Sequence, residues 1–175
     1  MNKTSYPFTL FLNLILLMLA TSIQAQTGRA TTVKTRFHRE TTVSIDIQAD
    51  SSTVWALLTK ASDYPRWNST VTAIEGRIAP GETIRLKSKL DAKRVFKLKI
   101  KTFEPDHLLI WGDGQGQRKF TLEKKQDGML RFTMSERIGG LLFPLYAKMI
   151  PSFDQSFEQF AADLKKESEL ILKSN

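Results

Sequence analysis

The chain contains no cysteine, so no disulfide staples it, and neither thiol chemistry nor a thiolate metal site is open to it. Histidine is nearly as scarce. Only His38 and His107 are present; no Ser-His-Asp set can be assembled around either, and no His-rich metal spacing exists. Neither a metal nor a cofactor is therefore expected. Low-complexity tracts and internal repeats are also missing. Beyond the first 25 residues only one apolar stretch is long, Ile138 to Ile150, and Tyr146 and Lys148 interrupt it. It reads as a core helix and not as a membrane span.

What is present suits a single globular domain. The 175 residues are 41% hydrophobic and 25% charged, with a net charge of +8, enough chain for a sizeable core. The N-terminus has a different character. Lys3 precedes an apolar run from Phe8 to Ala20 broken only by Thr9 and Asn13, and Ile23-Gln24-Ala25 ends it. That layout predicts a secretory signal peptide over residues 1–25, cut near Ala25, and hence a periplasmic or secreted protein. An uncleaved membrane anchor is the alternative, but the run falls short of the roughly 20 apolar residues that span a bilayer. No cysteine follows the run, which excludes lipoprotein processing. Basic proteins are drawn to anionic lipid, polysaccharide or nucleic acid; for an exported chain nucleic acid is not the expected partner.

Residues 26–37 are polar and without period, and read as a flexible leader to a domain over 38–173. Val43, Ile45 and Ile47 alternate with Thr42, Ser44 and Asp46, the period of a half-buried strand. Asp50-Ser51-Ser52 then offers N-cap residues ahead of Val54, Leu57 and Leu58 at helical spacing, and a second short helix or turn holds Ser62 to Asn68. About six further strand-like stretches follow, separated by turn signals at Ala79-Pro80-Gly81, Pro105-Asp106 and Gln126-Asp127-Gly128, with Gly112, Gly114 and Gly116 reading as a loose connection. Past Gly139-Gly140 the pattern is helical to the end, with Phe153, Phe157, Phe160, Leu164 and Ile171 on one stripe and Pro151 as a kink or a restart. The order predicts an α+β domain in which a curved antiparallel sheet of about seven strands packs on one long C-terminal helix, with two short helices after the first strand.

Five stretches in this order carry a resemblance: Ile47 to Leu58, Asp63-Tyr-Pro-Arg-Trp-Asn68, Phe103 to Trp111, Phe120 to Leu122 leading to Phe132-Thr-Met-Ser-Glu136, and Phe157 to Lys165 with Glu169. Together the chain resembles the START-like, or polyketide cyclase/dehydrase and lipid-transport, superfamily (SRPBCC), whose architecture is a helix-grip. The resemblance implies a ligand site between the concave sheet face and the long helix. Tyr64 and Trp67 match the segment near the cavity mouth, Trp111 the strand that begins the second half of the sheet, and Gly139 to Phe143 the loop over the opening. The superfamily spans lipid carriers, hormone receptors, aromatic cyclases and co-chaperones, so membership does not select a reaction.

On that basis the expected ligand-binding residues are Tyr64, Trp67, Phe96, Trp111, Phe120, Phe132, Leu142 and Tyr146; core filling is the alternative for each aromatic. The expected function is an exported binding protein for a hydrophobic or aromatic small molecule, such as a lipid. A cyclase/dehydrase-type enzyme and a ligand-free interaction module are the alternatives. Glu136 shares a face with Phe132 and Met134, and Asp113 follows Trp111; these are the candidate catalytic carboxylates, against a plainer role on a rim or turn. Arg85, Lys87, Lys89, Lys97, Lys99 and Lys101 form the clearest charge pattern, six cations on one face with no acidic neighbour in the pattern. They read as a solvated sheet face that deters edge pairing, with docking to an anionic membrane or polymer as the sharper alternative.

Overall fold

A computed structural model describes residues 28–174; the expected signal segment lies outside the described residues. Eight strands form one antiparallel sheet, in the spatial order β1-β2-β8-β7-β6-β5-β4-β3. They are β1 (Thr31–Lys34), β2 (His38–Ile47), β3 (Val71–Glu75), β4 (Thr83–Ser88), β5 (Asp91–Glu104), β6 (Leu108–Gly112), β7 (Gly116–Lys124) and β8 (Leu130–Gly139). Helix α1 (Ser51–Thr59), a 3-10 turn (Ala61–Asp63) and α2 (Tyr64–Trp67) connect β2 to β3. Past β8 come α3 (Phe143–Tyr146), a second 3-10 turn (Ala147–Met149) and the long α4 (Asp154–Ser174). The α+β helix-grip arrangement expected from the pattern is the arrangement observed. Among the described residues no helix is long and apolar enough to cross a membrane.

Two segments depart from expectation. Part of the leader is a strand: Thr31 to Lys34 pairs antiparallel with Arg39 to Thr42. Its register rests on contacts remote in sequence, with Thr32 donating to Asp154 at the start of α4 and the Ala30 amide donating to Glu158. No local period announces such a strand. The second departure is Ile138 to Ile150, which is not a core helix. Ile138 and Gly139 finish β8, Gly140 turns the chain at φ 132°, a value that favours glycine, and only Phe143 is buried in the short helix beyond.

The core follows from strand alternation meeting a helical stripe. Val43, Ile45 and Ile47 of β2 and Leu130, Phe132 and Met134 of β8 face inward, and Phe157, Phe160, Ala161 and Leu164 of α4 are buried against that face. Phe160 sits at the centre, with ring centroids 5.6 Å from Trp67, 5.9 Å from Phe120, 6.3 Å from Phe132 and 6.4 Å from Tyr64. Polar contacts hold the same helix from its flanks. Asp163 accepts from the Ser69 amide and hydroxyl, and Glu169 accepts from the Gln48 amide.

On the outer side of β2, Asp46 accepts two hydrogen bonds from Arg131, at 2.8 and 2.9 Å, and one from Lys125 at 3.0 Å. The Arg131 guanidinium, seconded by Lys125, holds the Asp46 carboxyl at about 2, below its ordinary 3.8. A depressed carboxylate pKa stabilises the fold above the unfolded value, and that contribution fades as pH falls through the folded one.

Two expectations follow. Phe160→Ala should cost about 3–5 kcal/mol, because four aromatic neighbours cannot collapse together into the space; urea unfolding followed by tryptophan fluorescence measures it, and a loss below about 1 kcal/mol would contradict the central place given to this ring. Stability should fall between about pH 4 and pH 2, and Asp46→Asn should flatten that part of the profile. Since Arg131 is largely exposed, solvent screening limits the contribution to about 1 kcal/mol.

Candidate functional site

Helix α4 packs chiefly over β2, which leaves the inner face at the β4–β5 end of the curved sheet without a helical partner. A cavity of about 460 Å³ opens there, between that face and residues 146–156. Its apolar wall includes Val71, Leu86, Phe96, Leu98, Trp111 and Ile138, which reach the hollow because the period-2 pattern aims alternate residues of β4 to β8 at one face. The size falls within the usual range for small-molecule sites.

Polar side chains interrupt this wall, among them Ser88, Asp91, Arg94 and Gln117, and it also holds an ion pair. Arg118 of β7 and Glu136 of β8 are direct register partners and form an ion pair, with Arg118 donating through both its ε nitrogen and a terminal nitrogen. The Arg118 guanidinium also lies over the Phe157 ring, 5.0 Å from its centroid. Both charged side chains are mostly withdrawn from solvent, where breaking a pair leaves an uncompensated charge. The pair therefore gives the wall a fixed donor and acceptor.

A second arginine secures the roof. Arg39, only 6% exposed, donates to the Ile150 carbonyl at 3.2 Å and the Pro151 carbonyl at 2.8 Å, and its guanidinium lies 4.5 Å from the Phe153 ring centroid. Burial draws the Arg39 pKa below its ordinary value, while Glu136 and Asp154 act in the opposite direction. Arg39 thereby fixes the non-helical stretch between the second 3-10 turn and α4, which closes one side of the cavity.

The expected site residues fall into two groups. Phe96, Trp111 and Tyr146 line the cavity, as do Glu136 and Asp113. Tyr64, Phe120 and Phe132 do not: all three are almost fully buried in the core, and the Tyr64 hydroxyl donates to the Leu58 carbonyl at 2.8 Å. Burial pushes the Tyr64 pKa upward, in keeping with a phenol that stays neutral. Trp67 packs edge-on against Phe160, away from the hollow. Leu142 is exposed and outside the lining. These five positions are core or surface rather than cavity wall: Phe120 and Phe132 face Phe160 of α4, Tyr64 and Trp67 pack on the same ring from α2, and Leu142 lies in the loop after β8.

Asp113 is spoken for by its own turn. Its carboxylate accepts from the Gln115 amide at 2.8 Å and the Gly116 amide at 2.9 Å. The glycine-rich connection is thus a tight hairpin, and a Cβ on Gly112 would lie 2.3 Å from the Gly116 carbonyl oxygen. Asn68, in the sequon Asn68-Ser69-Thr70, is buried and accepts from the Thr70 and Val71 amides. Among the described residues no group of three or more His, Asp or Glu side chains could hold a metal ion.

The basic face also differs from expectation. It is not free of acid: Glu75 lies opposite Arg85 and 3.6 Å from Lys87. Lys97 faces Arg85 across the β4–β5 pair, but Lys89 lies past the end of β4. Arg85, Lys87, Lys97, Lys99 and Lys101 alternate with the inward residues, so they occupy the convex side, opposite the cavity.

Sequence reasoning missed Arg39 and Arg118. Each was in phase with an apolar set, Arg39 with Val43 and Ile45, and Arg118 with Phe120 and Leu122. Extending the alternation four residues before Val43 and two before Phe120 places both on the inner face.

Known proteins share this architecture. Similar solved structures include a START superfamily protein from Mycobacterium smegmatis, with 12% identity over 75% of this chain and 98% of that one and a TM-score of 0.55. A Rhodobacter sphaeroides protein reaches 17% identity over 83% and 99% of the two chains with a TM-score of 0.59, and a Mesorhizobium loti protein 18% over 78% and 99% with a TM-score of 0.57. At such identities the likeness is one of fold. A comparison with curated proteins finds no match. A family model described as polyketide cyclase / dehydrase and lipid transport matches residues 38–169, a span that runs from the first residue of β2 into the last turns of α4 and takes in Arg39, Arg118 and Glu136. The chain therefore belongs to the polyketide cyclase/dehydrase and lipid transport family.

Proposed function

We propose that this protein is an exported binding protein that holds a hydrophobic or aromatic small molecule in the cavity between the sheet and the C-terminal helix. The observation that carries this reading is the cavity itself: apolar residues from β3 to β8 border a space that no part of the core fills, together with the Arg118–Glu136 pair and further polar side chains. An apolar body would displace water from Leu86, Phe96, Leu98 and Trp111, and area removed from water is the main source of affinity for such a ligand. Arg118 and Glu136 would orient it, since a paired donor and acceptor reward a ligand that carries a single hydrogen-bonding end. A lipid meets that description; an aromatic polyketide-like molecule, which carries several oxygens, would engage the pair through one of them. Export is supported by the sequence layout from Lys3 to Ala25.

Binding is testable with the neutral fluorophore N-phenyl-1-naphthylamine. Saturable enhancement of its emission is expected, and Ser88→Trp, which puts a large ring into the cavity wall, should weaken it by about tenfold or more, equivalent to about 1.4 kcal/mol. No binding to the parent protein, or equal binding to the variant, would remove the cavity as the site. Export is tested separately by sequencing the N-terminus of the protein recovered from its own host. A mature chain beginning near Gln26 in the extracytoplasmic fraction is expected, and a retained residue 1–25 segment would contradict it.

A further inference from the structure

The cavity mouth has an unusual rim. Leu141 is 87% exposed, Leu145 79% and Met149 83%, all within a stretch of nine residues that the apolar pattern alone assigns to a core. Across the opening, the β4–β5 hairpin tip exposes Leu90. Leu90 and Arg94 line the cavity from that side, as Tyr146 and Met149 line it from the other. Contiguous exposed apolar side chains at a cavity entrance mark an interaction surface.

The charge of the rim selects the partner. Residues 89–95 and 140–150 together carry Lys89, Lys93, Arg94 and Lys148 against one carboxylate, Asp91. Large apolar side chains set among cations match a lipid monolayer with anionic headgroups, where leucine and methionine enter the acyl boundary and the cations remain at headgroup level. A second copy of the chain would bring the same excess of positive charge against itself, which disfavours a self-paired rim. We propose that the segment Leu141–Met149 and the β4–β5 hairpin tip form a docking surface for an anionic lipid bilayer, placing the cavity mouth directly on the membrane.

This surface is distinct from the convex basic face, which lies on the opposite side of the sheet and carries no comparable exposed apolar cluster: there Arg85 and Lys97 alternate with buried Leu86 and Ile84. It also stands apart from the ligand reading. The rim could dock with the cavity empty, so the two proposals fail separately.

The absence of cysteine makes the test direct, because one introduced thiol is the only site for a label. Leu145→Cys in the full chain, carrying the environment-sensitive fluorophore NBD, should brighten severalfold and shift to the blue on addition of vesicles containing phosphatidylglycerol. Lys99→Cys, labelled in the same way on the convex face, should not respond. The response at position 145 should weaken with pure phosphatidylcholine vesicles, and also when salt is raised from about 0.1 M to about 1 M, where the screening length falls from about 10 Å to about 3 Å. Arg94→Glu with Lys148→Glu in the same labelled chain should reduce it as well. Three results would overturn the proposal: no change at position 145, a response at position 99 alone, or a change at 145 that grows with protein concentration without vesicles, which would indicate a second copy. A response at 145 without any naphthylamine binding would uphold the docking surface while removing the ligand reading.

Discussion

The contact on which the rest of the molecule depends is the packing of Phe160 among Trp67, Phe120, Phe132 and Tyr64. These rings come from α4, α2, β7 and β8, so one side chain joins the long helix to both the sheet and the short helical connection. Without disulfides, the domain depends on burial of this kind, and aromatic rings supply the largest area per residue. The carboxylates of Asp163 and Glu169 then hold the helix in one orientation by accepting from backbone amides of neighbouring segments. Directional bonds at the flanks complement a hydrophobic contact that has no direction of its own.

The position of α4 explains the cavity. A helix laid over the β2 side of a curved sheet cannot also cover β4 and β5; Ile84 and Ile100 are still buried, but Phe96 and Leu98 stay half-buried around a hollow. Arg39 and the Arg118–Glu136 pair are largely buried polar features on that concave side, and they serve different ends. Arg39 spends its donors on the Ile150 and Pro151 carbonyls and so belongs to the roof. The Arg118–Glu136 pair faces the hollow, where a ligand's polar end could meet it.

Strand alternation made most of the fold legible in advance. Val43, Ile45 and Ile47, then Ile84 and Leu86, then Leu130 and Phe132 repeat with period 2 and are buried as that period requires. The stripe of Phe157, Phe160 and Leu164 was equally plain. The edge strand Thr31–Lys34 was not, since its pairing depends on Asp154 and Glu158 more than 100 residues away. Site residues were harder to read than core residues for a related reason. Phe96 and Phe132 look alike in sequence, each an aromatic on the inward phase of a strand, yet the first borders the cavity and the second is sealed beneath α4. Which of them meets open space depends on where the helix comes to rest across the sheet.

The segment from Ile138 to Ile150 draws the dividing line most clearly. Hydrophobicity predicts burial only when a partner surface is within reach, and beyond the end of β8 the chain turns at Gly140 into a segment in which only Phe143 is fully buried. The amino-acid sequence alone determined the α+β order, the inward face of most strands and the buried stripe of the C-terminal helix, because these follow from local periodicity and the need to remove apolar area from water. Tertiary structure decided the placement of α4 over one half of the sheet, the cavity left at the other half, the meeting of Arg118 with Glu136 and the exposure of the leucines at the rim. Each of those is set by the relative position of elements distant in sequence, which no local pattern encodes.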